Sequence, residues 1–141
     1  MAALTITVAN VRVISNTTPV IVTAGEALTQ GMAVYRDAST GKWYKTDATD
    51  TDKDQVEGVA LTPADADGDQ FVLVQTVGAV VDIGATTVKG TVYYAGATAA
   101  GSWNPASDLA TPAAVLPGLL AEDTAGTCSL ILFNAATPVI L

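Results

Sequence analysis

The side chains that most often do chemistry are scarce in this chain. Its 141 residues include no histidine and one cysteine, Cys128. Without imidazole, the commonest general base, the Ser-His triads and most catalytic zinc sites are excluded. Cys128 lies in CSLIL, where strand alternation puts it on the face of Leu130 and Leu132. It is therefore expected to be a buried small hydrophobe, not a nucleophile. Two acidic runs, DATDTDKD at 47–54 followed by Glu57 and DADGD at 65–69, place carboxylates at alternate positions and raise a calcium loop as a candidate. An EF-hand loop needs glycine at its sixth position, glutamate at its twelfth and flanking helices. Counted from Asp50 those positions hold Gln55 and Leu61, and the flanks read as strands. Solvated loops that keep a sparsely charged chain soluble are the better reading. DADGDQ lacks the Lys-Ser/Thr of a P-loop, and GATTVKG lacks its strand–turn–helix setting. Nothing nominates one carboxylate pair over another, so the sequence assigns no catalytic, cofactor or metal residue, and the chain is not read as an enzyme.

Trp43, Tyr44 and Trp103 are the remaining side chains with functional potential. Tryptophan and tyrosine are favoured both as core anchors and as hot spots of binding surfaces. The two tryptophans recur at matching places in the chain, which favours a structural role. Tyr44, matched by Asn104, is freer to serve an interface. If instead the tryptophan loops are open, they make stacking platforms, and the alternative reading is a small β carbohydrate- or ligand-binding module.

The elements that position these side chains are strands. LTITV (4–8), VRV (11–13), PVIV (19–22), MAVY (32–35), KWYKT (42–46), EGVAL (57–61), QFVLVQTVGAVV (70–81), TVYYA (91–95), LPGLLA (116–121) and CSLILF (128–133) are β-branched, aromatic or apolar runs, many with period two. The offset at Ala9-Asn10 suggests a bulge. DASTGK, TPADADGD, AGATAAGS and AEDTAGT between the runs are turn compositions. SDLATPAAVL (107–116) has room for one helical turn, and Pro112 opposes a longer one.

The pattern is written twice. Gly25, Gly31 and Tyr35 recur as Gly84, Gly90 and Tyr94 at an offset of 59, and Gly41, Trp43 and Gly58 recur as Gly101, Trp103 and Gly118 at an offset of 60. GDQFVLV (68–74) matches GTCSLIL (126–132) at 58, which sets Cys128 against Gln70. Such ordered self-similarity decides the architecture. Residues 23–80 and 81–135 read as two copies of one β unit, with 1–22 an N-terminal arm and 136–141 an apolar tail, all within a single domain. The repeat anchors are Gly31, Tyr35, Trp43, Gly58, Gly90, Tyr94, Trp103 and Gly118. Gly25 and Gly84, with Gly31 and Gly90, are expected at turns that need positive φ. Each unit is small, so the pair is expected to share one barrel or sandwich with pseudo-twofold symmetry.

Composition narrows the partners. Half of the residues (50%) are hydrophobic and 14% are charged, against about 25% in an average domain. The formal net charge is −8, with six basic residues scattered among fourteen acids. Binding to phosphate backbones or anionic bilayers depends on clustered Lys and Arg, so no nucleic acid and no membrane is expected as a partner. MAALTITVANVRV has neither a basic n-region nor a long apolar stretch, so no secretory signal is expected, and folding in the cytoplasm fits best.

The stretch TAGEALTQGMAVYRDASTGKWYKTDATDTDKDQVEGVALTPADADGDQFVLV resembles the bacteriophage capsid cement, or head decoration, proteins. GMAVY, TGKW, EGVAL and GDQFVLV carry the first copy of that pattern, and GTVYY, GSWN, PGLLA and GTCSLIL carry a looser second copy, so that residues 20–135 are covered. The resemblance implies a small all-β domain of tulip or barrel type. It also implies a homotrimer made in the host bacterial cytoplasm that sits in the virion on the outer capsid surface, binds the major capsid protein and does no chemistry. Candidate interface residues are Leu4, Ile6, Val8, Val11 and Val13 of the arm, Tyr44, and Val139, Ile140 and Leu141 of the tail, through strand addition at a sheet edge.

Overall fold

A computed structural model describes residues 3–15, 17–109 and 114–131, and the backbone of 139–140. The chain is all-β. Its strands are β1 (Arg12–Val13), β2 (Val20–Thr23), β3 (Ala33–Arg36), β4 (Trp43–Lys45), β5 (Gly58–Ala60), β6 (Gln70–Val74), β7 (Val80–Asp82), β8 (Val92–Ala95), β9 (Trp103–Asn104), β10 (Ala114–Val115), β11 (Pro117–Ala121), β12 (Thr127–Leu130) and β13 (Val139–Ile140). Every paired strand in these sheets runs antiparallel to its neighbour. One sheet has the order β2-β6-β5-β3-β4 and the other β1-β7-β12-β11-β8-β9, while β10 pairs with β13.

The two larger sheets share a wiring diagram. If β7, β12, β11, β8 and β9 are substituted for β2, β6, β5, β3 and β4, one order becomes the other, with β1 added at an edge. Registers correspond too. Thr23 faces Gln70 as Asp82 faces Thr127, and Val22 faces Phe71 as Val81 faces Cys128. By this pairing Cys128 holds the place of Phe71, and not that of Gln70. The first sheet also returns on itself: Ala24 forms a parallel bridge with Trp43, and Gly25 N–H donates to Trp43 O at 2.8 Å. That contact joins the two edge strands β2 and β4 and turns the sheet into a small barrel.

Burial follows from this arrangement. Inside the barrel lie Leu28, Val34, Trp43, Phe71 and Leu73. The opposite faces of β3 and β5 carry Ala33 and Val59, which join a second cluster with Val81, Tyr93, Trp103, Leu119 and Leu130. β3 and β5 are thus covered on both sides, and all of Gly58–Ala60 is buried. Backbone bonds join the units where Ala33 N–H donates to Gly101 O, Gly101 N–H to Thr46 O and Ala48 N–H to Gly96 O. Trp103 Nε1 adds a bond to Gly31 O at 2.8 Å.

Some boundaries differ from those read in the sequence. QFVLVQTVGAVV is two strands, broken at Gly78 with φ of 88°. The boundaries after residues 22 and 80 fall inside β2 and β7. β2 is therefore an integral strand of the first sheet and not part of a loose arm. LTITV forms no ladder, because each end of it is tied to a different strand region of the second unit: Leu4 N–H donates to Trp103 O and Thr7 N–H to Gly84 O. The offset at Ala9-Asn10 is a 3-10 turn over Val8–Asn10, not a bulge. The helical turn expected near residue 107 is a 3-10 turn, Ala106–Asp108; residues 110–113 lie outside the described residues.

Candidate functional site

The side chains with reactive or ligand-binding potential are mostly committed to the fold. Cys128 is fully buried, and loss of solvation for its thiolate pushes the thiol up to about 12. Trp43 and Trp103 are 4% and 0% exposed, so neither indole offers a face to a sugar ring. The acidic loops hold their own turns. Asp47 Oδ1 accepts from the backbone and hydroxyl of Thr49, and Asp50 Oδ1 accepts from Asp52 N–H. Asp69 Oδ2 accepts from Asp65 and Ala66 N–H. The bonds of Asp47 and Asp50 are those of Asx turns, while Asp69 reaches back to close the Asp65–Asp69 loop. Among the described residues no group of three or more Cys, Asp or Glu side chains is arranged to hold a metal. Burial raises the carboxyls of Glu57 and Asp54 above their ordinary range. Backbone N–H donors from Ala125 and Thr127 lower that of Asp123. Two of these groups thus hold protons more tightly and one less tightly.

The departure from twofold likeness lies at the seam where the first residues of the chain cross the second unit. In the first unit the Tyr44 ring lies against Gly25, so close that a Cβ there would collide with the ring carbons. Gly25 does not have positive φ; contrary to the turn reading, glycine is required here for space. Tyr44 also sits against Tyr35, with ring centroids 6.0 Å apart, and is half-buried. Burial, with Asp37 and Glu26 nearby, pushes the Tyr35 phenol up to about 12.

The second unit has no such ring. Asn104 replaces Tyr44 and is turned inward, its Nδ2 donating to Thr98 Oγ1 at 2.9 Å and to Asp108 Oδ2 at 3.0 Å. The space over Gly84 is taken by the N-terminal segment instead: a Cβ on Gly84 would lie 2.5 Å from Thr7 O and 3.2 Å from Val11 Cγ2. Gly84 does adopt positive φ, 71°. The same segment packs on Gly31, whose α-carbon is bare toward Ile6 and Val11. Two shallow clefts of about 370 and 280 Å³ flank it, both lined in part by Thr5 and Thr86. Together they contain a single carboxylate, Asp82.

The interface candidates therefore separate. Val11 is buried under its own chain, Leu4, Ile6 and Val13 are half-buried against the core, and Val8 is 44% exposed. The backbone of Val139 and Ile140 is paired with β10, and Leu141 lies outside the described residues. The sequence reading missed Ile14, Ile21 and Val77, exposed by 48%, 69% and 64%. Ile14 follows β1, Val77 sits in the β6–β7 connection, and Ile21 lies on β2. β1 is a sheet edge, and β2 ends the first sheet at the seam where it closes onto β4. Period-two alternation reveals which residues share a face, but neither which face stays uncovered nor which connection residues are exposed, so these three gave no signal. Compared with protein-family models and with curated proteins, the chain finds no match.

Proposed function

We propose that this chain is a structural decoration (cement) protein of a bacteriophage head. It would sit on the outer surface of the icosahedral shell as a homotrimer and stabilise the shell by bridging capsomers. Its partners are the major capsid protein and copies of itself. The observation that carries the reading is the ordered, duplicated phrase GMAVY–TGKW–EGVAL–GDQFVLV and its looser second copy, whose resemblance is to that family.

Physical features support it. A net charge of −8 suits the outside of a DNA-filled shell, because the chain has little with which to displace phosphate counterions. The potential reactive groups are committed to turns and core, which leaves surface as the working part. Ile14, Ile21 and Val77 supply exposed apolar surface of the kind that marks protein contacts when clustered. Three-fold presentation multiplies weak contacts through effective concentration.

The test is quantitative mass spectrometry of density-purified phage particles, with light scattering of the purified chain. A fixed ratio to the major shell protein, together with a trimer mass, is the expected result. Absence from particles would overturn the reading.

A further inference from the structure

We propose that the seam over Gly31, Gly84 and Trp103 is a strand-binding groove, and that its ligand, the chain's own segment 3–11, can be supplied in trans by a second copy. This inference does not rest on the capsid reading; it comes from the difference between the two units.

The first unit closes with its own atoms, Gly25 N–H donating to Trp43 O. At the corresponding place in the second unit, Gly84 N–H is taken by Asp82 Oδ1 at 2.9 Å. Trp103 O accepts from Leu4 N–H at 2.9 Å, and Gly84 O accepts from Thr7 N–H at 2.7 Å. The segment thus supplies donors to two carbonyls that the unit does not satisfy from its own sequence. It also covers Gly84 as Tyr44 covers Gly25. It acts as an added part, standing in for a missing closure and a missing ring.

The floor of the groove does not depend on the segment. Trp103 is fixed by its indole bond to Gly31 O and by pairing with Ala95. Ala121 and Ala125 flank the neighbouring turn, where Gly90 N–H donates to Ala121 O and Ala125 N–H to Asp123 Oδ1. Residues 3–11 are lightly held by contrast, although the chain just after them is anchored: β1 pairs with β7, and Ile14 and Ser15 N–H both donate to Val80 O. Leu4 and Ile6 are half-buried, and Thr5, Thr7 and Val8 are exposed. Val11 is the segment's one buried side chain, at 6% exposed. Regions with few buried contacts open locally without global unfolding. Once open, the groove presents two carbonyl acceptors and bare glycine α-carbons that take Ile6 and Val11. Its ligand is a short extended stretch with Leu4 and Ile6 on one side, followed by the 3-10 turn Val8–Asn10 that delivers Val11. Between the segment and β2 lies β1, paired with β7, and residues 14–19 follow it, a stretch of about 20 Å when extended. Exchange of an identical element between copies is a low-cost route to association.

The experiment uses the full chain with a protease site inserted between Thr17 and Thr18, cut after folding, and a fluorescent synthetic peptide of residues 1–17. The nicked protein is expected to retain its fragment on gel filtration and then to exchange it saturably for the labelled peptide. Cys128 should stay unreactive to a thiol reagent throughout, showing that the core remains closed. A peptide carrying Ile6→Asp and Val11→Asp should bind at least about tenfold more weakly. Three results would overturn the proposal: immediate loss of the fragment from an intact fold, unfolding on nicking, or exchange seen only when Cys128 becomes reactive.

Discussion

Gly84→Ala and Gly90→Ala together measure how firmly the N-terminal segment is held. Both glycines have positive φ, 71° and 80°, so alanine meets the same left-handed penalty of roughly 1–2 kcal/mol, partly offset by a stiffer unfolded chain. The surroundings differ. A Cβ on Gly90 meets no heavy atom within 4 Å, whereas on Gly84 it lies 2.5 Å from Thr7 O. That oxygen belongs to backbone, so the clash is relieved by displacing the segment. Displacement breaks the Thr7 N–H to Gly84 O bond, worth about 0.5–1.5 kcal/mol, and partly uncovers Val11 and Ile6, each worth about 1.5–3 kcal/mol when fully buried. Gly90→Ala should therefore cost about 1 kcal/mol, and Gly84→Ala about 2 kcal/mol more. With a urea slope of ~2 kcal/mol/M, the two midpoints should differ by about 1 M. Tryptophan fluorescence during urea unfolding reads this directly. Midpoints that coincide would refute the argument, because the segment would then contribute nothing over Gly84.

Trp103→Phe should destabilise by about 2–4 kcal/mol, through the lost indole volume and an unsatisfied Gly31 carbonyl, measured by the same unfolding curve. Cys128 should react with a disulfide reagent at a negligible rate in the native protein at pH 8 and stoichiometrically in denaturant, since its thiol is pushed up to about 12; rapid native labelling would contradict the burial. Glu57, raised mainly by burial, binds its proton more tightly in the folded chain, so the folded state holds more protons above the ordinary value of 4.5. Its contribution to stability therefore declines as pH rises through that window, and Glu57→Gln should raise the neutral-pH melting temperature and flatten that decline. Thermal unfolding of both forms at pH 4 and pH 7 tests the sign.

Strand positions were legible because β-branched runs between glycine and aspartate turns have few other solutions, and β4, β5, β6, β8 and β11 fall within the expected runs. Cys128 was legible as a core side chain for the same reason. Its counterpart was not: the glycines at 68 and 126 keep step in sequence, but the turn before β6 absorbs one more residue than the turn before β12, so pairing with β2 and β7 sets Cys128 where Phe71 stands. Gly25 was read as a conformational glycine, whereas the cause is a ring from another strand, which no local pattern encodes. LTITV alternates as a strand does because one side of it faces the core, and alternation reports a buried side without reporting a ladder. Ile21 was missed because which face of a strand stays uncovered is set by packing in space, and Ile14 and Val77 because they lie in connections outside the strands.

The two larger sheets share a strand order, so a difference between them at corresponding places is informative. Each unit has a closure to complete and a bare glycine to cover. The first unit does both alone, with Gly25 N–H on Trp43 O and the Tyr44 ring over Gly25. In the second unit the residue at the tyrosine's place is Asn104, buried and bonded to Thr98 and Asp108, so neither task can be met from within. The chain's first residues meet both. They adjoin the first unit in sequence yet are bound to Trp103 and Gly84, far along the chain. This long-range contact makes the second unit's completion depend on the segment farthest from it, and contacts of large sequence separation carry the greater loop-closure cost. The seam is consequently the place where a competing strand from another copy has the most to gain, because the segment it would replace is lightly buried along its length.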